Sequence, residues 1–290
     1  EQYNFTIDEN SSINVDVSVD PEMLGRVFEN LLAEVAPETG ETARKATGSY
    51  YTPRVIVDYM VEQSLKQYLL TKTNLGEEKT NNLLAYGEDI ENFTQADKLS
   101  VVKALTEIKI IDPACGSGAF PIGVLHRMLM AMEKVDPKLE LWRKQYLDAL
   151  DPMVRQTVEK NIRKENWAYI RKLMIIRDAI YGVDIQPIAV EIAKLRCFLS
   201  LVVNEMVADG EPNRGIESLP NLEFKFVAAN TLIGLPKTTD LGMMENTELI
   251  NELAGLRKEY FISSGEQKEL VKVKFTKDFP EGAGLRVLKE

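Results

Sequence analysis

The chain has 290 residues, 44% hydrophobic and 28% charged, with 35 Lys and Arg against 45 Asp and Glu for a net charge of −10. This is a globular composition, long enough to bury a substantial core, and it holds no apolar run of the roughly 18 residues that would span a membrane. Two cysteines exclude a disulfide framework, and a single histidine, His126, excludes a multi-histidine metal site.

The charge is uneven along the chain. Residues 1–40 hold nine acids and one base, Arg26, for a net −8, and the other 250 residues sum to −2. An acidic balance argues against nucleic-acid binding, but here it weighs mainly on those first forty residues. Residues 1–20 are polar and weakly alternating, as in a short strand or ordered tail. Asp20-Pro21 then opens a predicted helix, with Leu24, Val27, Phe28, Leu31, Leu32 and Val35 on one stripe. A polar connector over 37–48 leads to Thr52-Pro53, which repeats the capping signature. The helix predicted there turns Val57, Met60, Val61, Leu65, Tyr68 and Leu69 inward. Residues 71–100 are Asn- and Glu-rich and read as a surface excursion with some helix.

The pattern changes at Ile108, Ile110 and Ile111, a strand that runs into Asp112-Pro113-Ala114-Cys115-Gly116-Ser117-Gly118. A helix is predicted over Ala119–Val135, with Pro121 tolerated in its first turn. A long helical stretch, 138–178, follows, then a buried strand ending in Asp184, an apolar helix over 187–206, and a third strand over 222–228. Strands alternating with helices predict an α/β fold with a parallel sheet. Residues 240–272 return to helix. The resulting division is an acidic segment (1–46), an α/β domain (47–235) with insertions at 71–106 and 138–178, and a helical C-terminal part (236–290).

The chemistry concentrates at the first strand-to-helix turn. Its glycines let backbone approach a ligand, and the following helix start supplies a positive field. An acid at the end of the second strand, Asp184, suits hydrogen bonds from a ribose diol. A phosphate loop would need Lys-Ser/Thr after the glycines, where Ala119-Phe120 stands. The nicotinamide fingerprint fails because Ile122 precedes Gly123 and Asp184 lies too far downstream. Each piece also has a plain structural role: Thr52-Pro53 alone is a helix cap, and Gly-x-Gly alone is turn geometry. Cys115 reads as a small residue in a crowded turn, Cys197 as core and His126 as a partly buried helix residue. The stretch Trp142–Asp178, with nine bases and five acids, reads either as a solvated amphipathic face or as a phosphate-backbone contact.

Gly48-Ser49-Tyr50-Tyr51-Thr52-Pro53, the Asp112–Phe120 segment, Ile180-Tyr181-Gly182-Val183-Asp184 and Ala229-Asn230-Thr231-Leu232 occur in that order. Together they resemble the cofactor motifs of gamma-type adenine-N6 DNA methyltransferases, and most of all those of single-chain type II restriction–modification enzymes. The resemblance covers roughly residues 20–235. It implies a class I S-adenosylmethionine-dependent (Rossmann-like) core and assigns S-adenosyl-L-methionine as cofactor. Tyr51, Thr52, Asp112, Ala114, Gly116, Gly118, Phe120, Asp184, Ile185 and Asn230 are then the cofactor-binding positions. Thr52 takes the methionine carboxylate, and Asp112 balances the ammonium with the backbone of Ala114 and Gly116 beside it. Asp184 takes the ribose hydroxyls, Phe120 packs alongside, and Asn230 stands where such enzymes usually have an Asp accepting from the adenine amine.

The same family polarises the adenine amine with Asn/Asp-Pro-Pro-Tyr/Phe. None of the twelve prolines here neighbours another, so the motif is absent from these residues. With Glu rather than Met at position 1, the expectation is an N-terminal portion of a longer cytoplasmic enzyme, binding cofactor but catalytically incomplete alone. DNA is the expected partner of the full protein, and self-association through an isoleucine-rich strand edge near Ile108–Ile111 is expected of the portion. A methyltransferase for RNA adenine or protein glutamine, or a non-catalytic S-adenosylmethionine-binding module, are the competing readings.

Overall fold

The computed structural model describes residues 52–150, 152–205 and 222–232, with scattered positions elsewhere, among them Val27 and parts of 255–273. The helix expected over 21–35, most of that over 240–272, and Tyr51 lie outside the described residues.

Helix α1, Arg54–Lys72, buries Val57, Val61, Leu65 and Leu69, one residue per turn. The stripe is narrower than the sequence predicts, for Met60 is 49% exposed and Tyr68 is half-buried, its hydroxyl donating to Ala104 O at 3.0 Å. The helix also begins later than the capping signature suggested. Pro53 holds the N-cap position, with no side-chain cap.

Helices α2 (Glu77–Leu84) and α3 (Gln95–Glu107) replace the expected surface excursion. They bury Leu83, Leu84, Val101, Val102 and Leu105, and these join one continuous core with α1. The apolar residues stand in adjacent pairs amid polar ones, which blurred their period in sequence. A capping box secures α3: Asp97 N donates to Thr94 Oγ1 at 3.1 Å and Thr94 N to Asp97 Oδ2 at 2.9 Å. The Lys79 ammonium, 2.6 Å away, and the Thr94 amide hold the Asp97 carboxyl down at about 2.

Strands β1 (Ile110–Asp112), β2 (Ile180–Asp184) and β3 (Phe226–Ala228) form a parallel sheet in that order, with Asp112 opposite Gly182 and Asp184 opposite Ala228. After β1 comes α4, Ala119–Val135, as predicted. The stretch over 138–178 breaks into α5 (Glu140–Tyr146), a short 3-10 turn, α6 (Pro152–Arg163) and α7 (Trp167–Asp178). Helix α8, Pro187–Val202, links β2 to β3 and stops short of the predicted end.

Part of the 142–178 charge is spent internally. Lys172 is 1% exposed and donates to Ser200 O at 2.8 Å and to Asn204 Oδ1, and burial lowers its pKa to about 8. Arg171 is buried on the carbonyls of Asp136 and Pro137. Neither can face a phosphate backbone. His126 is a half-buried residue of α4. At the sheet edge the expectation of an isoleucine-rich surface narrows. Among the described residues β1 pairs only with β2, but Ile108 is 4% exposed, inside the core, and Ile111 alone is largely exposed.

Candidate functional site

All three strands run parallel, so their C-terminal ends lie on one side. Asp112, Asp184 and the 229–232 loop meet there. The turn after β1 is shaped by two glycines in left-handed backbone, Gly116 at φ 52° and Gly118 at φ 89°. Gly118 also has no room for a side chain, since a Cβ there would stand 3.0 Å from Ala193 Cβ on α8. Gly182, in the middle of β2, is sterically tighter: an added Cβ would meet the Phe226 ring at 2.7 Å and Cys115 Sγ at 2.9 Å. The Phe226 ring and the Cys115 thiol thus lie directly against the backbone of β2.

Hydrogen bonds stitch the three loops together, and Asp184 is the hub. Its Oδ2 accepts from Gly116 N and its Oδ1 from Gln186 N, both at 2.8 Å, and its backbone carbonyl accepts from Ala229 N at 2.9 Å. Cys115 N donates to Val183 O at 2.9 Å. The Thr231 hydroxyl ties the third loop to the first, donating to Pro113 O at 3.1 Å, and Asn230 Oδ1 accepts from Leu232 N at 3.0 Å.

Asp112 differs from Asp184 in what it leaves unmet. Its Oδ1 accepts from Ala114 N at 3.1 Å, but Oδ2 is buried with no partner among the described residues. Burial, partly offset by the Ala114 amide and reinforced by the nearby Asp184 charge, lifts its carboxyl above the ordinary value. A buried carboxylate oxygen without a donor is a costly arrangement, and a cationic donor would relieve it. The amides of Ala114 and Gly116 are already engaged by the two carboxylates, so these residues offer a ligand their carbonyls.

Thr52 stands just before α1, which packs on α4. A Cβ on Gly123 would stand 2.7 Å from Val57 Cγ1, and the Arg127 guanidinium pairs with Glu62 at 3.2 Å. Residues 57 and 62 of α1 therefore match 123 and 127 of α4 in the same direction, and the two helices run parallel. Extending that register brings the start of α1, at Thr52-Pro53, level with Gly118, where α4 begins. The starts of α1 and α4 then lie at the same end of the helix pair, and each helix start carries a positive field.

Phe120 is half-buried against the core, Asn230 is half-buried, and Ile185 is 60% exposed. Cys115 and Cys197 are buried, and burial drives both thiols upward, Cys197 to about 12, so neither is a nucleophile. Arg196 escaped sequence reading altogether: its guanidinium is buried under the turn and donates to Ser117 O at 2.9 Å.

Residues 89–232, which span α3 through the 229–232 loop, match the family model for the MmeI DNA-methyltransferase domain. This segment is similar to the DNA-methyltransferase domain of that family. The similarity extends beyond the domain. The chain is 31% identical over 296 aligned positions, covering 97% of it, to a protein of Methanocaldococcus jannaschii provisionally named a type II restriction enzyme and methyltransferase. It spans 22% of that protein's length. The three strands, the glycine turn and all the loops at their ends fall within the segment that matches the family model.

Proposed function

We propose that these residues form the S-adenosylmethionine-binding part of an enzyme that methylates adenine N6 in DNA, on a class I methyltransferase core. The observation that carries the reading is Asp112 Oδ2, a buried acceptor with no donor, at the mouth of a left-handed glycine turn. It fits an ammonium, and the amino-acid end of S-adenosylmethionine presents one. The neighbouring helix N-termini fit the carboxylate that such a ligand carries beside its ammonium.

In this reading Asp112 holds the ammonium, and Thr52, with Tyr51, holds the carboxylate at the start of α1. Gly116 and Gly118 keep side chains out of the ligand's path, with Ala114 beside them. Asp184 has lone pairs left after its two backbone bonds and takes the ribose hydroxyls. Ile185, Phe120 and Asn230 surround the adenine, apolar on its faces and polar at its edge. When bound, the cofactor supplies a methyl group made electrophilic by the sulfonium. The protein's part here is to bind and orient the ligand.

Amine activation is not among these residues' tasks, because they contain no Asn/Asp-Pro-Pro-Tyr/Phe sequence. We place that step, target recognition and most DNA contact in residues outside this sequence. The test is transfer of labelled methyl from S-adenosylmethionine to DNA by the longer polypeptide, with digestion to nucleosides. Label in N6-methyl-2′-deoxyadenosine supports the reading. Label in a methylated cytosine, in RNA or in protein contradicts it.

A further inference from the structure

Arg196 lies on the underside of the turn, and nothing in its sequence context distinguishes it from a surface base. It is 2% exposed, and its Nε is buried with no partner. No carboxylate among the described residues pairs with it. A guanidinium buried without a counter-ion is disfavoured against an apolar side chain of similar volume. Packing alone therefore does not explain it.

What Arg196 does is grip one carbonyl, Ser117 O, at 2.9 Å. The next amide, Gly118 N, donates to Cys115 O at 2.8 Å. The Ser117–Gly118 peptide is thus held at both ends, its oxygen from below and its N–H from within the turn. One helical turn before Arg196, Ala193 forms the floor against which Gly118 packs. The two α8 residues clamp the point where the turn becomes the helix.

We propose that Arg196 is a positioning residue for the cofactor turn. It holds the Ser117–Gly118 peptide in the orientation that keeps Gly116, Gly118 and Asp112 set for ligand before any ligand arrives. It acts through the turn and touches no ligand atom. The inference rests on the reading of this turn as the S-adenosylmethionine site.

The test compares Arg196→Met, which fills the volume but cannot donate, with Arg196→Lys, which keeps one charged donor. Each is measured for thermal unfolding, for amide hydrogen exchange at Ser117 and Gly118, and for S-adenosylmethionine affinity by calorimetry. Arg196→Met should unfold no lower than the wild type, exchange at Gly118 about tenfold faster, and bind about tenfold more weakly. Arg196→Lys should recover most of both. Wild-type exchange and affinity in Arg196→Met would overturn the proposal, as would equal losses of stability and binding in the two variants. If the wild type binds no S-adenosylmethionine, the cofactor reading fails. Faster exchange at Gly118 in Arg196→Met would then still support Arg196 as the residue that orders the turn, and unchanged exchange would overturn that role too.

Discussion

The carboxylate of Asp184 accepts the amide of Gly116 at 2.8 Å across 68 residues of sequence. This bond closes the end of β2 over the turn that follows β1, while the other oxygen caps Gln186 N. One acid thereby fixes two loops. Asp184→Ala is expected to destabilise the fold by about 1–3 kcal/mol, because two amides lose a charged acceptor. Denaturant unfolding measures this. An unchanged midpoint would mean that the turn stands without the clasp.

The glycines of the chain are not equivalent. Gly87 and Gly118 both have positive φ, at 79° and 89°, but nothing lies within 4 Å of a Cβ on Gly87, whereas Ala193 blocks one on Gly118. Gly87→Ala should cost only backbone strain, about 1–2 kcal/mol. Gly118→Ala should add steric displacement of α8 and cost about 1–3 kcal/mol more, by analogy with overpacked cores. Paired thermal unfolding of the two variants checks the difference. Equal losses would refute the packing argument.

The parallel pairing of α1 and α4 predicts a coupling. Gly123→Ala forces a Cβ to 2.7 Å from Val57 Cγ1 and should cost about 1–3 kcal/mol. Adding Val57→Ala removes the clashing methyls, so the double variant should be more stable than the sum of the singles implies. A double-mutant cycle with no coupling would show that the helices do not meet at that register.

Much of this site was legible in sequence, and the limits are physical. The Asp112–Gly118 turn, both flanking strands and Asp184 could be read because glycine placement and buried strand runs are local signals. The 71–100 stretch reads as a surface excursion with some helix, and its burial in the core is not legible because Leu83-Leu84 and Val101-Val102 sit in a polar background that hides their period. Arg196 was missed because a base inside an apolar helix carries no local mark of burial. The Asp184–Gly116 bond and the alignment of Thr52 with Gly118 are tertiary relations between distant segments.

Asp112 sets stability against binding. Its carboxyl titrates above the ordinary 3.8, first because it is buried. A raised carboxyl favours the protonated folded state, so ionisation penalises folding at neutral pH. The penalty fades as pH falls through the raised value toward the ordinary one. Asp112→Asn should therefore raise the ligand-free unfolding midpoint at pH 7, with the gain vanishing below about pH 4. Unfolding midpoints across pH 3–8 would show it, and a variant less stable at pH 7 would contradict the assignment.

The central claim is that Asp112 Oδ2 awaits the ammonium of S-adenosylmethionine, and titration calorimetry at pH 7 on the wild-type chain and Asp112→Asn tests it most directly. The account predicts one-to-one binding by the wild type and a loss of about tenfold or more in Asp112→Asn, from removal of a buried charged partner. Equal affinities in the two proteins, or no binding by the wild type, would contradict it.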